Sequence, residues 1–173
     1  VMPDAFYNGD VKNDKSTTGR IRENAWGNVH FGGIDWFGGD LKGIEDKIYY
    51  IKGLLNADAV FINPIWKTDH NAGYGSADIQ QIDSALGNEN NLVDLISSLH
   101  ENDLKIMLDA VFKYYLADGT WFNEAEIFPL PGAAQDRNSP FYRVFKFYQW
   151  PGQRESDWGQ PVINFGIDIS REL

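Results

Sequence analysis

The sequence contains no cysteine among its 173 residues. Disulfide bonds, thiol nucleophiles, cysteine-ligated zinc and iron–sulfur clusters are therefore excluded. Basic residues are also scarce, with 15 Lys and Arg against 25 Asp and Glu, and the formal net charge is −10. Because such a surface repels phosphate backbones, we expect no nucleic-acid partner. No window approaches the roughly 20 apolar residues that a membrane span needs, so we expect no membrane partner either.

The sequence does have enough apolar material for a folded core. Hydrophobic residues make up 43% of it and aromatic residues 14%, which excludes an intrinsically disordered chain. The length is that of about one domain, since domains typically run to roughly 100–200 residues. We find no internal repeat and no low-complexity segment.

The segment from Gly38 to Phe112 alternates between two kinds of apolar pattern. Residues at helical spacing predict two amphipathic helices, with Ile44, Ile48, Ile51 and Leu55 in the first and Leu92, Leu95, Ile96 and Leu99 in the second. Continuous apolar runs predict buried strands at Ala57–Pro64 and Leu104–Phe112, with a polar loop at residues 67–88 between the first strand and the second helix. Helices that alternate with such strands are typical of parallel βαβ units, so the predicted fold class is α/β.

Residues 116–160 lack a helical period and are rich in aromatic residues. Four prolines lie among them, at positions 129, 131, 140 and 151. The pattern predicts a long, loop-rich insertion with buried aromatic side chains, and long loops of this kind are usually functional.

Four oxygen-bearing side chains lie within seven residues near the N-terminus: Asn8, Asp10, Asn13 and Asp14. Hard oxygen ligands without His or Cys favour Ca²⁺, although the spacing is not that of an EF-hand. The alternative is an Asx-rich surface turn that binds nothing, and the spacing does not decide between the two. Gly38-Gly39-Asp40 offers a further carbonyl and carboxylate, but the sequence does not place them beside the first cluster.

Six segments, taken in order, resemble one enzyme family. They are Pro3–Asp10 with Asn13-Asp14, Gly38–Ile44, Asn63–Trp66, Tyr74–Asp83, Leu108–Phe112 and Gln160–Asn164. The chain resembles the α-amylase superfamily, glycoside hydrolase family thirteen, and within it the neopullulanase, cyclomaltodextrinase and maltogenic amylase branch.

The resemblance implies a partial (β/α)8 TIM barrel of about three strands with their helices, interrupted by an irregular domain B-like insertion. Residues 1–115 would form the first part of the barrel, residues 116–160 the inserted domain, and residues 161–173 a return to a barrel that is truncated. It also implies a structural Ca²⁺ ion bound by the family's ligand set, which here is Asn8, Asp10, Asn13, Asp14, Gly38 and Asp40.

For the substrate site, the resemblance implies an α-glucan or maltooligosaccharide ligand. Tyr74 corresponds to the tyrosine that stacks on the −1 glucose, and Asp109 to the aspartate that supports the −1 subsite. No Asp or Glu matches the family's nucleophile or acid/base motifs, so we assign no catalytic residue. The pairs Glu45-Asp46, Glu124/Glu126 and Glu155/Asp157 are explained more simply as surface charge.

Several polar positions depart from the family pattern. Ala5 stands where an arginine is expected, and residues 71–76 lack the family's histidine and first aspartate. Lys113 and Tyr114 replace an asparagine and a histidine after Asp109. The hydrophobic positions and the predicted Ca²⁺ ligands follow the pattern, so the departures concentrate in the sugar pocket.

Three hypotheses follow. The first is the N-terminal part of a retaining α-glucan hydrolase, and the second is a non-catalytic glucan-binding relative of such enzymes. The third is a structural fragment whose open sheet edge and uncovered inner barrel face lead to oligomerisation.

Overall fold

The computed structural model describes residues 1–15, 36–68, 72–113, 115–150, 153–154, 156–157 and 159–164. Two α-helices and eight strands lie in these ranges. The helices are α1 (Leu41–Asp46) and α2 (Glu89–Glu101), and the strands are β1 (Ala59–Ile62), β2 (Trp66–Thr68), β3 (Ser76–Ile82), β4 (Lys105–Leu108), β5 (Phe147–Gln149), β6 (Gln153–Arg154), β7 (Ser156–Asp157) and β8 (Gln160–Pro161). Short 3-10 turns occur at Pro3–Ala5, Asn13–Lys15 and Tyr142–Val144, and a π-helix at Tyr50–Leu54.

Both α-helices begin at a side chain that accepts hydrogen bonds from their first turn. Asp40 caps α1 by accepting from the Gly43 amide at 2.6 Å. Asn88 caps α2 by accepting from the Asn91 amide, and Asn91 Oδ1 in turn accepts from the Asn88 amide, which completes a capping box. These caps satisfy amides that have no partner within the helix and so fix where each helix starts.

Strands β1 and β4 are parallel, as the sequence predicts. Their register pairs Ala59 with Lys105 and Ile62 with Leu108. On the other side of β1, the Val1 nitrogen donates to Phe61 O at 2.5 Å and Val1 O accepts from the Asn63 amide at 2.9 Å. Because this is also the hydrogen-bond pattern of a parallel pair, Ile62 has parallel neighbours on both sides.

The described residues form two compact units. Unit 1 comprises Val1–Tyr74 and Gln80–Ala110, and unit 2 comprises Gly75–Ile79 and Val111–Leu173. The predicted domain boundaries, after residue 115 and before residue 161, stay a prediction. Residues 161–164 belong to unit 2, and the rest of the predicted return, residues 165–173, lies outside the described residues.

Unit 1 has an aliphatic core between its helices and strands. It consists of Leu41, Ile44, Ile48, Ile51, Val60, Ile62, Ile65, Leu86, Leu95, Leu99 and Leu104. The opposite face of the parallel pair carries Phe61 and Met107, which are paired in register and exposed. The predicted first helix differs at its end, since Leu55 lies after the π-helix and is exposed.

The polar segment after β1 is not a continuous loop. It contains β2 and β3, which form a two-stranded sheet. Buried Asp83 organises this region by accepting from the Thr68 amide at 3.0 Å and the Ala85 amide at 2.9 Å. The sequence analysis missed these strands because their polar side chains show no apolar period. Their ends are held by hydrogen bonds to one buried carboxylate, which leaves no pattern in the sequence.

Unit 2 is built on aromatic packing, as the sequence predicts for residues 116–160. Its buried cluster is Tyr115, Phe122, Ala133 and Phe145. The Trp121 ring stacks on Tyr115 with centroids 5.1 Å apart and on Phe141 at 5.5 Å. Most of the segment is turns and short strands. Within the described residues, no helix is long and apolar enough to cross a membrane.

Candidate functional site

Tyr74 and Asp109 meet at the carboxyl end of the parallel strands. The Tyr74 hydroxyl donates to Asp109 Oδ2 at 2.8 Å. Asp109 directly follows β4, and its amide donates to Ile62 O at 2.9 Å, which holds it beside the end of β1. Tyr74 is 38% exposed and Asp109 is half-buried, so both side chains reach the surface.

A close backbone approach positions Tyr74. Gly73 has φ +84°, and a Cβ atom there would lie 2.1 Å from Pro64 O, so only glycine fits. Asn63, which follows β1, donates from Nδ2 to Ala72 O at 3.3 Å. The Asn63-Pro64 segment thus fixes the chain just before Tyr74 at the same strand edge as Asp109.

Asp40 joins the N-terminal loop to α1. Its Oδ1 accepts from the Gly9 amide at 3.1 Å in addition to the Gly43 cap, and its Oδ2 accepts from the Asp10 amide and Asn13 Nδ2, both at 2.9 Å. These four hydrogen bonds use the acceptor directions of a carboxylate. The structure therefore brings Asp40 to the first cluster, which spacing alone could not do, and explains its burial.

Asn8, Asp14 and Gly38 form the other side of this cluster. Asn8 Nδ2 donates to both Asp14 carboxylate oxygens, at 2.9 and 3.0 Å. A Cβ atom at Gly38, which has φ +80°, would lie 2.9 Å from Asp14 Oδ1. Asn8 Oδ1 and Asn13 Oδ1 are buried and have no hydrogen-bond partner. Two buried acceptors without donors are costly in a fold, and both oxygens can accept a hydrogen bond or bind a cation.

Asp10 differs from the other predicted ligands. Its Oδ1 accepts from the Lys12 amide at 3.0 Å, which is the Asx turn of the alternative interpretation. Within the described residues, no group of three or more His, Cys, Asp or Glu side chains is arranged to hold a metal ion. The predicted set has only three carboxylates, and its remaining oxygens come from amides and a carbonyl.

Asp4 is a buried carboxylate whose role the sequence analysis missed. It accepts from the Phe37 amide at 3.0 Å and the Gly38 amide at 3.0 Å, and so places Gly38 beside Asp14. Burial raises the pKa of Asp4 to about 6, against the lowering effect of the two backbone hydrogen bonds. The one sequence signal for this role was that Asp4 directly follows Pro3, because a 3-10 turn starts at Pro3.

The structure describes some of the positions at which this sequence departs from the family pattern. Ala5 and Lys113 are exposed. Asn71 and Tyr114 lie outside the described residues.

Comparisons with known sequences give one family. The profile of the alpha-amylase catalytic domain matches residues 1–161. An amylopullulanase from Thermoanaerobacterium saccharolyticum is 31% identical over 198 residues, covering 94% of this chain and 15% of that protein. A cyclomaltodextrinase from Thermoanaerobacter pseudethanolicus is 30% identical over 151 residues, covering 87% of this chain and 24% of that protein. The chain thus spans less than a quarter of the length of these curated relatives.

Solved structures show the same fold. The cyclic alpha-maltosyl-(1→6)-maltose hydrolase from Arthrobacter globiformis superposes with a TM-score of 0.80 at 24% identity, covering 99% of this chain and 38% of that one. The type III pullulan hydrolase from Thermococcus kodakarensis gives a TM-score of 0.79 at 22% identity, covering 99% of this chain and 33% of that one. The predicted fold, the first part of a (β/α)8 barrel, is confirmed. With its profile match, its parallel strands and these relatives, the chain belongs to the alpha-amylase catalytic domain family.

Proposed function

We propose that this chain supplies the first barrel strands and part of the −1 sugar subsite of a retaining α-glucan hydrolase. The Tyr74–Asp109 hydrogen bond at the carboxyl end of β1 and β4 carries the proposal. Active sites of (β/α)8 barrels lie at this end of the strands. The relatives' names, amylopullulanase and cyclomaltodextrinase, support an α-glucan as the substrate class.

In this proposal the two residues bind and orient sugar and do not cleave it. The Tyr74 ring would stack against the C–H face of a glucosyl unit, while Asp109 would accept hydrogen bonds from its hydroxyl groups. The Tyr74 hydroxyl bond to Asp109 Oδ2 fixes both side chains before the sugar arrives. The nucleophile and the acid/base would come from sequence outside this chain, because retaining glycosidases need two carboxylates about 5–5.5 Å apart across the scissile bond.

Titration of maltotriose into the 173-residue chain tests this proposal. We expect binding to the wild type without release of reducing sugar. Tyr74→Ala should weaken binding at least tenfold, because it removes the stacking surface and leaves Asp109 without its positioning partner. Tyr49→Ala is the control, since Tyr49 is 79% exposed in the same unit and lies away from the strand ends. Equal affinities for the wild type and Tyr74→Ala would exclude this subsite.

Non-catalytic glucan binding is the second candidate function. It is favoured by Ala5 and Lys113, which replace polar residues of the family pattern while the Tyr74–Asp109 pair is kept. The two candidates differ in the protein that contains this chain. The hydrolase releases reducing sugar from amylose or pullulan, whereas the binding protein retains these glucans and leaves them intact.

We further propose that the N-terminal loop binds a structural Ca²⁺ ion through Asn8, Asp10, Asn13, Asp14 and the Gly38 carbonyl. Asp40, the sixth ligand of the predicted set, accepts four N–H groups and would hold the loop around the ion without binding it. Support comes from the unpaired buried oxygens of Asn8 and Asn13, and from the left-handed backbone of Gly38, which lies so close to Asp14 and Asn8 that an added Cβ atom would be 2.9 Å from Asp14 Oδ1. Oxygen donors of this kind suit Ca²⁺. The ion would connect the N-terminal loop to the start of α1 and would take no part in bond cleavage.

Thermal melts with and without chelator test the metal site. An ion that binds only the folded chain raises the free energy of unfolding by RT ln(1 + [L]/Kd), so chelator should lower the melting temperature and added Ca²⁺ should restore it. Asn13→Ala should abolish the Ca²⁺ effect, because it removes one of the two unpaired oxygens. The control, Asn102→Ala, changes an exposed asparagine of unit 1 outside this loop. Identical melts in chelator and in Ca²⁺ would rule out the site.

A further inference from the structure

Unit 2 contains a cavity of about 350 Å³ that belongs neither to the Tyr74–Asp109 pair nor to the N-terminal loop. Its apolar walls are Phe122, Ala134 and Phe147, and its polar lining includes Glu124, Glu126 and Arg154. All of these residues lie in the loop-rich segment that the sequence marks as an insertion. The volume is sufficient for one or two sugar rings.

The cavity presents hydrogen-bond acceptors that the fold does not use. Arg154 Nη1 donates to Glu124 Oε1 at 2.6 Å, and Arg154 Nη2 donates to Gly159 O at 3.1 Å. This arrangement holds Glu124 in place and leaves its second oxygen open. The Glu126 carboxylate has no hydrogen-bond or ion-pair partner among the described residues. Glu124 and Glu126 are both exposed, so three carboxylate oxygens at this cavity are accessible to a ligand that can donate.

The loop that carries these glutamates is rigidly held. Asn123 is buried, donates from Nδ2 to Phe128 O at 3.0 Å and to Leu130 O at 3.2 Å, and accepts from the Phe128 amide at 3.1 Å. Asn123 and Glu126 both have left-handed backbones, with φ 56° and 58°. Asparagine tolerates this conformation, but glutamate is disfavoured there, and glycine would be the better residue for folding. The fold therefore does not explain a glutamate at position 126.

The lining also restricts which ligand can bind. The two carboxylates repel anions, and no group of His, Cys, Asp or Glu in the described residues is arranged to hold a metal ion. The Phe147 ring is packed between Phe122 and Tyr142, so an aromatic ligand finds no free face on which to stack. Hydroxyl donors together with apolar C–H surface fit the carboxylates and the apolar walls of the cavity, and a glucosyl unit has both.

We propose that this cavity is a second carbohydrate site, which takes the end of a maltooligosaccharide through hydroxyl donation to Glu124 and Glu126. The choice of an α-glucan rests on the function proposed above, whereas the donor-rich chemistry of the ligand rests on the cavity itself. The site would hold a glucan on unit 2 independently of the subsite at Tyr74.

NMR titration of maltotriose into the 15N-labelled chain separates the two sites. We expect the amide signals of residues 124–126 and of Tyr74 to shift, each set with its own Kd. Glu126→Gln should weaken the response of residues 124–126 about tenfold, because a charge-assisted hydrogen bond becomes a neutral one. It should leave the Tyr74 response unchanged. Glu101→Gln, at an exposed glutamate of unit 1, should change neither.

The variants also distinguish failure of this site from failure of the proposed function. Shifts at Tyr74 alone would overturn the second site and leave the proposed function standing, while shifts at residues 124–126 alone would do the reverse. Absence of both responses would overturn both. Glu126→Gly should bind as weakly as Glu126→Gln and should melt no lower than the wild type, because glycine relieves the left-handed backbone. A lower melting temperature would show that Glu126 serves the fold and would count against the site.

Discussion

The two units satisfy their buried backbone amides with different side chains. Unit 1 uses carboxylates, since buried Asp4, Asp40 and Asp83 each accept from two or more main-chain N–H groups. Unit 2 uses neutral groups, of which buried Asn123 is the clearest example. Among the described residues of unit 2, no carboxylate is buried.

This difference follows from what each group can bind. A carboxylate only accepts, so it gathers amides from distant segments, as Asp40 does for Gly9, which lies 31 residues earlier. An amide side chain donates and accepts, so it can close a loop on itself, as Asn123 does with Phe128 five residues later. Carboxylates therefore tie the barrel segments of unit 1 together, while an amide shapes a local loop in unit 2. An amide side chain does not titrate, whereas burial raises the pKa of Asp4 in unit 1.

Replacing Asn123 should have the largest effect. Asn123→Ala leaves two backbone carbonyls and one amide without partners and puts alanine in a left-handed conformation, which together should lower the free energy of unfolding by about 4 kcal/mol. Leu99→Ala, in the aliphatic core of unit 1, should cost a similar amount, about 3–4 kcal/mol. Denaturant unfolding measures both values.

Hydrogen exchange shows where each variant acts. Asn123→Ala should speed exchange in residues 120–135, and Leu99→Ala in α2. The exposed Asn138→Ala should cost less than about 0.5 kcal/mol. If Asn123→Ala were as mild as Asn138→Ala, aromatic packing alone would hold unit 2.

The sequence predicted unit 1 better than unit 2 because its core is periodic. Ile44, Ile48 and Ile51 mark the buried face that runs from α1 into the π-helix. The continuous apolar runs mark two parallel strands, but each strand packs only one face on the core and exposes the other, so the prediction that they are buried was wrong for that face. The polar strand β3 escaped this reasoning, since its burial pattern follows no apolar alternation. In unit 2 the sequence predicted aromatic burial but not the loop held by Asn123, because one buried amide leaves no periodic signal.

The candidate site was predicted unevenly for a similar reason. Resemblance to a family identified Tyr74 and Asp109, and the structure brings them within hydrogen-bond distance. Spacing alone could not place Asp40 beside Asn13, because the contact joins segments 27 residues apart. Glu124 and Glu126 were interpreted as surface charge, and both are exposed, but neither the cavity that they line nor the left-handed backbone at Glu126 is visible in the sequence.

We expect the free energy of unfolding of unit 1 to depend on pH, because of Asp4. Burial raises the pKa of Asp4 from 3.8 to about 6 in the folded chain, so the folded state binds this proton more tightly than the unfolded state. The stabilisation is fully present below pH 3.8 and is lost as the pH rises through about 6, at about 1.4 kcal/mol per pKa unit, or about 2–3 kcal/mol in total. Unfolding of unit 1, followed by hydrogen exchange between pH 4 and 7 in chelator, measures it.

Asp4→Asn is the matched variant for that measurement. Its side chain keeps an acceptor for the Phe37 and Gly38 amides but does not titrate in this range. The difference in the free energy of unfolding between the wild type and the variant should change steadily between pH 4 and 6. Above pH 7 it should be constant. A difference independent of pH would mean that Asp4 stays ionised in the fold, and the contrast with the neutral Asn123 would lose its physical basis.

The smallest expected change in the free energy of unfolding comes from the helix caps of unit 1, of which there are two to compare. Asn88 bonds only within its own turn, to the Asn90 and Asn91 amides, so Asn88→Ala should cost about 1 kcal/mol, as the loss of an N-cap usually does. Asp40 caps α1 and also holds the Gly9 and Asp10 amides, so Asp40→Ala should cost clearly more than Asn88→Ala in urea unfolding. It should also speed exchange at those two amides, which Asn88→Ala leaves unchanged. Equal costs would mean that Asp40 acts only as a cap, and that the link between the N-terminal loop and α1 depends on the proposed Ca²⁺ ion and not on this carboxylate.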